Sequence, residues 1–338
     1  MNIQNDSPVL PTTRVNHIDD YLGPSAYRYF GSGHRRVAQH ISSLAWTPGS
    51  PRKEAQGSAE IIYPALWSSK GANSTHSAHL STIDALALSL RMVETFLASG
   101  LGLTAEQISR AWLSRYKMRP GSRPHTDLRH VPLRIVQCEI RTSDKSPGWT
   151  STEFGCVVGG IKVHCYVEHE TAAVRSIDAA ALSLTKAPYH CGGYRFRTQE
   201  ITDVALAAAE GSIIATVDVR DTPETSAGTG ELGSAYQPAL TMLDATVVYA
   251  QLGQVLMYSL DELSRGDTDT LWMRAVDMAS SGPDSTVVEP MSCESSVIRS
   301  SVLHFAGGQW RVSAMRGSMA NTTVTYSLGH RLPDVEQQ

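Results

Sequence analysis

Two aspartates that could move protons, Asp84 and Asp244, stand 160 residues apart, each just after a hydroxyl residue and just before a long apolar run. The stretches are "STIDALALSLRMVETF" from Ser81 and "TMLDATVVYAQLGQVLM" from Thr241. A carboxylate in the first turn of a helix has two uses. As part of a cap it offsets the positive end of the helix dipole and is worth about 1 kcal/mol. Where the helix opens into a core, the same carboxylate is partly desolvated, its pKa rises, and it suits general acid–base work. The unpaired N–H groups of that turn can also hold a thioester or ketone oxygen as it becomes negative. Cap and catalyst both stay open at this point, and a catalytic role is expected for at least one of the two acids.

The loop before Asp84, "SSKGANSTHSAHLSTID", supplies further groups. His79, five residues before Asp84, is the next acid–base candidate, and His76 and Lys70 are candidate substrate ligands. The pair His76 and His79 lacks further ligands at metal spacing, so no metal is expected. The loop before Asp244 carries no histidine; chemistry that needs a histidine with an aspartate therefore predicts one composite site rather than two. Gln251, where the first helix has Arg91, is either a ligand for a substrate oxygen or a solvent-facing residue. Arg35 and Arg195 recur and are candidates for a coenzyme or sugar phosphate, with solvent-facing strand-edge arginines as the plainer reading. His190 and Cys191, read as neighbours on a strand, point to opposite faces and predict no Cys–His dyad. No G-x-S-x-G, Walker loop or dinucleotide fingerprint occurs.

The elements that must hold these residues come in two copies. At the 160-residue offset, Arg35/Arg195, Gln39/Gln199, Ile41/Ile201, Ala85/Ala245 and Trp112/Trp272 keep identity and order. Such self-similarity predicts a duplication, with units over residues 1–170 and 171–338. Each half reads as an Arg-containing β-prone segment, an apolar strand, a Gly/Ser/Thr loop, one helix and then three or four strands. "EITDVALAAAE" (200–210) fits strand or helix equally. Gly-Gly within "CVVGGIKVHCYV" and "LHFAGGQWRVSAM" marks a hairpin, and the two are expected to correspond. One helix among many strands, with no strand–helix alternation, predicts an α+β fold. The helix is apolar on most faces and so is buried. An antiparallel sheet wrapped around a buried helix is the hotdog arrangement, and two in tandem make a double hotdog.

Bulk properties bound the function. The 338 residues carry a formal charge of −4, with 41% apolar and 18% charged residues, which gives no reason to expect nucleic acid or an anionic membrane as partner. No apolar run approaches the roughly 20 residues that cross a bilayer, and no basic stretch followed by an apolar one opens the chain. Five unevenly spaced cysteines suit reduced thiols better than a disulfide framework. A cytoplasmic protein is expected, with homodimerisation left open.

"LDATVVYAQ" from Leu243 is similar to the Leu-Asp-Ala helix start of double-hotdog polyketide dehydratases. "IDDYLGPSAYRYFGSGHRRV", Ile18 to Val37, resembles the opening of the avirulence D (AvrD) proteins of plant-pathogenic pseudomonads. That resemblance implies an enzyme of syringolide- or butenolide-like signal synthesis. Its substrates would be a 3-oxoacyl thioester, on coenzyme A or acyl carrier protein, and a ketose. A base would deprotonate a hydroxyl that attacks the thioester; the acidic carbon between two carbonyls would then add to the ketone, and water would leave. Proton transfers and an oxyanion pocket suffice, so no cofactor is expected. The alternatives are a 3-hydroxyacyl thioester dehydratase and a non-catalytic binder of a butyrolactone-type signal.

Overall fold

Residues whose apolar side chains alternate along the sequence form strands here, and the two runs that are apolar all round form helices. The first half comprises β1 (Thr13–His17), α1 (Asp19–Leu22), β2 (Ala38–Trp46), β3 (Glu54–Ile62), α2 (Thr82–Leu101), α3 (Ala105–Arg110), β4 (Trp112–Arg119), β5 (Val131–Thr142), β6 (Trp149–Val158) and β7 (Ile161–Glu170). The second comprises α4 (Pro188–Cys191), β8 (Thr198–Ala207), β9 (Ser212–Arg220), α5 (Met242–Ser259), β10 (Trp272–Ser280), β11 (Met291–Phe305), β12 (Gly308–Met319) and β13 (Thr322–Arg331). The computed structural model describes residues 12–333 apart from 51, 66, 69–76, 145–146, 172–181, 183–187, 223–229, 268–270, 284 and 306.

Among the described residues thirteen strands form one sheet, in the order β1-β8-β9-β11-β12-β13-β10-β4-β7-β6-β5-β3-β2, with these pairings antiparallel. The halves meet where β10 pairs β4, and Arg115 and Asp277 fasten that seam with bonds of 2.7 and 2.6 Å. Equivalent elements begin 160 residues apart: 242 − 82 for the long helices, 198 − 38 for β8 and β2, 272 − 112 for β10 and β4. The chain is a double hotdog, in which α2 and α5 are each enclosed by the sheet.

The helices start as their sequences require. Ser81 and Thr241 are N-caps, and each forms a reciprocal capping box with the aspartate three residues on. Gly102, at φ 70°, ends α2 in the left-handed conformation that glycine adopts without a Cβ clash. Strand β6 alternates strictly between buried and partly exposed positions, as expected when one sheet face packs on a helix and the other meets water. Phe154 on β6 packs edge-on against Phe96 of α2, with ring centroids 5.3 Å apart.

Three local readings change. "EITDVALAAAE" is strand β8 up to Ala207, and only Ala208–Glu210 turns as a short 3-10 helix. The two Gly-Gly pairs do not correspond: Gly159-Gly160 joins β6 to β7, whereas Gly307-Gly308 joins β11 to β12, one hairpin earlier. The counterpart of the first turn lies at Ala320-Asn321, where Ala320 itself takes φ 50°. Strand β13 completes the second half as a fourth strand after its helix.

The start of the chain crosses to the second half. β1 pairs β8, Ile18 N–H donates to Ile201 O at 3.0 Å, and Arg28 reaches Gln251 of α5 at 2.6 Å. All five cysteines are free thiols. Among the described residues no helix is long and apolar enough to cross a membrane.

Candidate active site

At the start of α2, Asp84 is fully buried and accepts four hydrogen bonds. Gln39 Nε2 donates to Oδ1 at 2.7 Å, and Oδ2 accepts from Ser81 N–H at 3.0 Å, Ser81 Oγ at 2.7 Å and the hydroxyl of Tyr63. Because the Ser81 hydroxyl donates to Asp84, the Tyr29 hydroxyl that meets it is the donor in that contact. Two short hydroxyl paths therefore converge on one carboxylate, through Tyr63 directly and through Tyr29 and Ser81. Burial pushes the Asp84 pKa up, against the lowering effect of its Tyr63, Gln39 and Ser81 donors. Burial first, then the Asp84 charge, pushes both tyrosines well above their ordinary range, so they stand as neutral donors.

Tyr29, Tyr63 and Ser81 line a cavity of about 290 Å³ to which both halves contribute. Tyr116 and Ile161 come from the first half, and Thr246, Tyr249, Ala250 and Trp272 from the second. Tyr116 and Thr246 close the seam with a 2.6 Å hydroxyl bond. Most of the wall is apolar, and the first-turn residue Thr82, whose N–H has no intrahelical acceptor, opens on it.

The start of α5 copies the outline and changes the charge. Gln199 Nε2 donates to Asp244 Oδ1 at 2.8 Å, and the Thr241 N–H and hydroxyl donate to Oδ2 at 3.0 and 2.7 Å. Arg197, fully buried, adds an ion pair to Oδ2 at 2.9 Å. Its counterpart in the first half is Val37 (197 − 160 = 37), so Asp84 has no cation at that position. Asp244 is locked in a salt bridge, while Asp84 is held by neutral groups that reach a cavity.

The other expected residues fall into separate places. His79 lines this same cavity with its ring 5.1 Å from Trp272, and its Nδ1 lies 3.3 Å from Ser77 O; the Asp84 hydrogen bonds do not include it. His76 and Lys70 lie outside the described residues. Gln251 is neither exposed nor a cavity-lining residue: it is buried, and its Oε1 accepts from Arg28. Arg35 holds Gly31 O at 3.0 Å, while Arg195 holds Gly192 O and Val37 O, each at 3.2 Å. Both arginines fix the turns ahead of β2 and β8. His190 sits in helix α4 rather than on a strand.

The sequence reading did not single out Tyr29, Tyr63 or Arg197. A signal for Tyr29 was present, because Tyr29/Tyr189 and Ser81/Thr241 both keep the 160-residue offset; in the structure Tyr29 meets Ser81 and Tyr189 meets Thr241 through their hydroxyls.

Beside this site His34 is buried with Nδ1 3.0 Å from Tyr29 O, and burial chiefly lowers its pKa to about 4. The folded protein therefore keeps His34 neutral while the unfolded chain gains a proton below about pH 6.5. Stability is expected to fall as pH drops from about 6.5 to 4, by about 3 kcal/mol from this residue. Urea midpoints across that range should show the slope, and His34→Gln should flatten it.

A family model described as Pseudomonas avirulence D protein (AvrD) matches residues 14–333. No curated protein matches the chain by sequence. Among solved structures, a putative oleoyl thioesterase from Lactobacillus plantarum is similar over 85% of this chain and 100% of its own, at 10% identity and TM-score 0.44. The acyl-CoA thioesterase II TesB2 from Mycobacterium marinum is similar over 84% and 94%, at 9% identity and TM-score 0.34. A trans-AT polyketide synthase dehydratase domain from Brevibacillus brevis is similar over 87% and 97%, at 10% identity and TM-score 0.37.

Proposed function

This chain belongs to the avirulence D (AvrD) family, and on that premise we propose that it is an enzyme of small-molecule biosynthesis that joins a 3-oxoacyl thioester to a sugar-like ketone. The observation that carries the reading is the cavity at the start of α2, apolar along its wall and ending on hydroxyls that lead to one buried carboxylate. At roughly 10–15 Å³ per water-sized atom, its 290 Å³ admits about twenty to thirty non-hydrogen atoms. A medium 3-oxoacyl chain with a small ketose is of that size.

A ketose hydroxyl would attack the thioester carbonyl as its proton passes to the Tyr63 oxygen and the Tyr63 proton passes to Asp84. The first-turn N–H of Thr82 suits the oxyanion that forms, and as that intermediate collapses the thiolate leaves with the proton that Asp84 returns through Tyr63. The carbon between the two carbonyls of the ester is then acidic enough to add to the ketone within the same cavity, with loss of water. His79, on the cavity wall beside Trp272, would take the proton in that second step.

The test is mass spectrometry of products from the purified protein with a 3-oxoacyl thioester and a ketose. A new ester or butenolide supports the reading; a ligand retained unchanged supports a binder instead. Ala250 should set chain length, because it lines the apolar wall from α5. Ala250→Phe would displace two or three methylenes at about 0.8 kcal/mol each, so kcat/KM for the longest accepted chain is expected to fall about 10–60-fold while shorter chains are spared. Competition between thioesters of different length would read this.

A further inference from the structure

The buried face of α2 carries a second acid. Glu94 is 1% exposed, and its Oε1 accepts from His190 Nδ1 and from Leu232 N–H, each at 2.9 Å. Its Oε2 has no hydrogen-bond partner among the described residues. His190 belongs to the other half, and Glu231 completes a buried group whose ligand-type atoms all lie within 4.8 Å. Glu231 Oε2 in turn accepts from Tyr189 N–H at 2.7 Å. Both carboxylates are thus met by N–H donors. With the Nδ1 proton assigned to Glu94 by this network, the proton-accepting nitrogen of the ring is Nε2.

His190 lines a cavity of about 80 Å³ at the start of α5, with Trp112, Thr241, Met242 and Leu243. It is the counterpart of the cavity at the start of α2: on the two linings Trp112 stands for Trp272 and His190 for Phe30, while Glu94, which bonds His190 from outside the lining, takes the position of Gln254, all at the 160-residue offset. The twin sites differ in that an imidazole, backed by a carboxylate, replaces a phenyl ring.

We propose that the start of α5 is a second, separate catalytic centre, in which His190, oriented by Glu94, exchanges a proton with the carbon next to the carbonyl of a small hydroxyketone. At roughly 10–15 Å³ per atom, the cavity holds about five to eight non-hydrogen atoms, the size of a three-carbon hydroxyketone. Nε2 takes the proton, the C–H electron pair becomes the C=C bond of an enediolate, and the carbonyl pair moves to oxygen. The first-turn N–H groups of Met242 and Leu243, which have no intrahelical acceptor, suit that negative oxygen. Return of the proton from Nε2 restores the ketone, so no redox partner is required. Burial alone would lower the His190 pKa; the Glu94 charge and hydrogen bond, with the Glu231 charge, outweigh it and the opposing Arg91 charge, and raise it. His190 touches substrate in this scheme and Glu94 is a positioning residue. The centre does not depend on the reading given for the α2 cavity.

The test is exchange of dihydroxyacetone C–H for deuterium in D₂O, followed by NMR with the whole chain. The expected result is exchange faster than the protein-free blank, increasing with pH through the His190 titration. His190→Gln should reduce the enzymatic rate by about 10²-fold or more, and Glu94→Gln should move the rise to lower pH, because a charge that raises the His190 pKa has gone. Wild-type exchange no faster than the blank, or His190→Gln as fast as wild type, overturns the proposal. Should His190→Gln fail to fold, an unchanged pH profile in Glu94→Gln overturns it equally.

Discussion

Asp84→Asn should fold nearly as stably as wild type and lose about 10²–10⁴ in turnover. Asparagine keeps the size and the capping oxygen of aspartate, so the helix start loses about 1 kcal/mol or less. It cannot take a proton from Tyr63, and both hydroxyl paths from the cavity end at this atom pair. Product yield and melting temperature, measured together, separate the two effects. A fully active Asp84→Asn would make Asp84 a cap and remove the proton acceptor from the proposed reaction.

Arg197→Val is expected to be the most damaging of these substitutions to stability. It installs the residue that the first half has at Val37, but leaves the Asp244 charge buried without its cation. Removing one partner of a buried ion pair costs about 3–5 kcal/mol. Asp244→Asn should cost less, on the order of 1–3 kcal/mol, because Arg197 keeps an ion pair with Asp221 at 2.7 Å. The double variant should be more stable than Arg197→Val alone, since it removes the orphaned charge. Denaturant unfolding of the three variants closes this cycle. Arg197→Val within 1 kcal/mol of wild type would mean that Asp244 is neutral or hydrated in the fold. A capping estimate of about 1 kcal/mol leaves out what Asp244 has gained, because Arg197, just ahead of β8, turns the second cap into half of an ion pair.

Why that partner stayed hidden is instructive about the whole site. The duplication was legible because identities at one offset need no knowledge of the fold, and the capping boxes were legible because their residues are three apart. Gln39 and Gln199 were visible as a repeat, yet their bonds to the aspartates cross 45 residues of chain and follow only from how β2 and β8 pack on the helices. Comparing "GHRRVAQHIS" with "GYRFRTQEIT" does expose Val37 against Arg197, a charge appearing in one copy of a buried position. Glu94 was similarly visible as a lone acid in an apolar stretch, but its partner His190 lies 96 residues away in a segment that looked like a strand. The misplaced Gly-Gly match has the opposite cause: hairpin chemistry recurs at any tight turn, so it marks a turn without saying which.

The pairing of β1 with β8 sets an order of assembly during synthesis. Thr13 lies opposite Leu206, so 206 − 13 = 193 residues must be made before the first strand meets its partner. At about 5–20 residues per second that is roughly 10–40 s, far longer than a hairpin needs to form. The first half can close around α2 in that interval while the leading segment waits outside it. Arg28, which travels with that segment, reaches α5 only once the second helix exists. The segment that carries β1 thus leaves the ribosome long before its partner strand, is fastened late, and fastens the unit made after it.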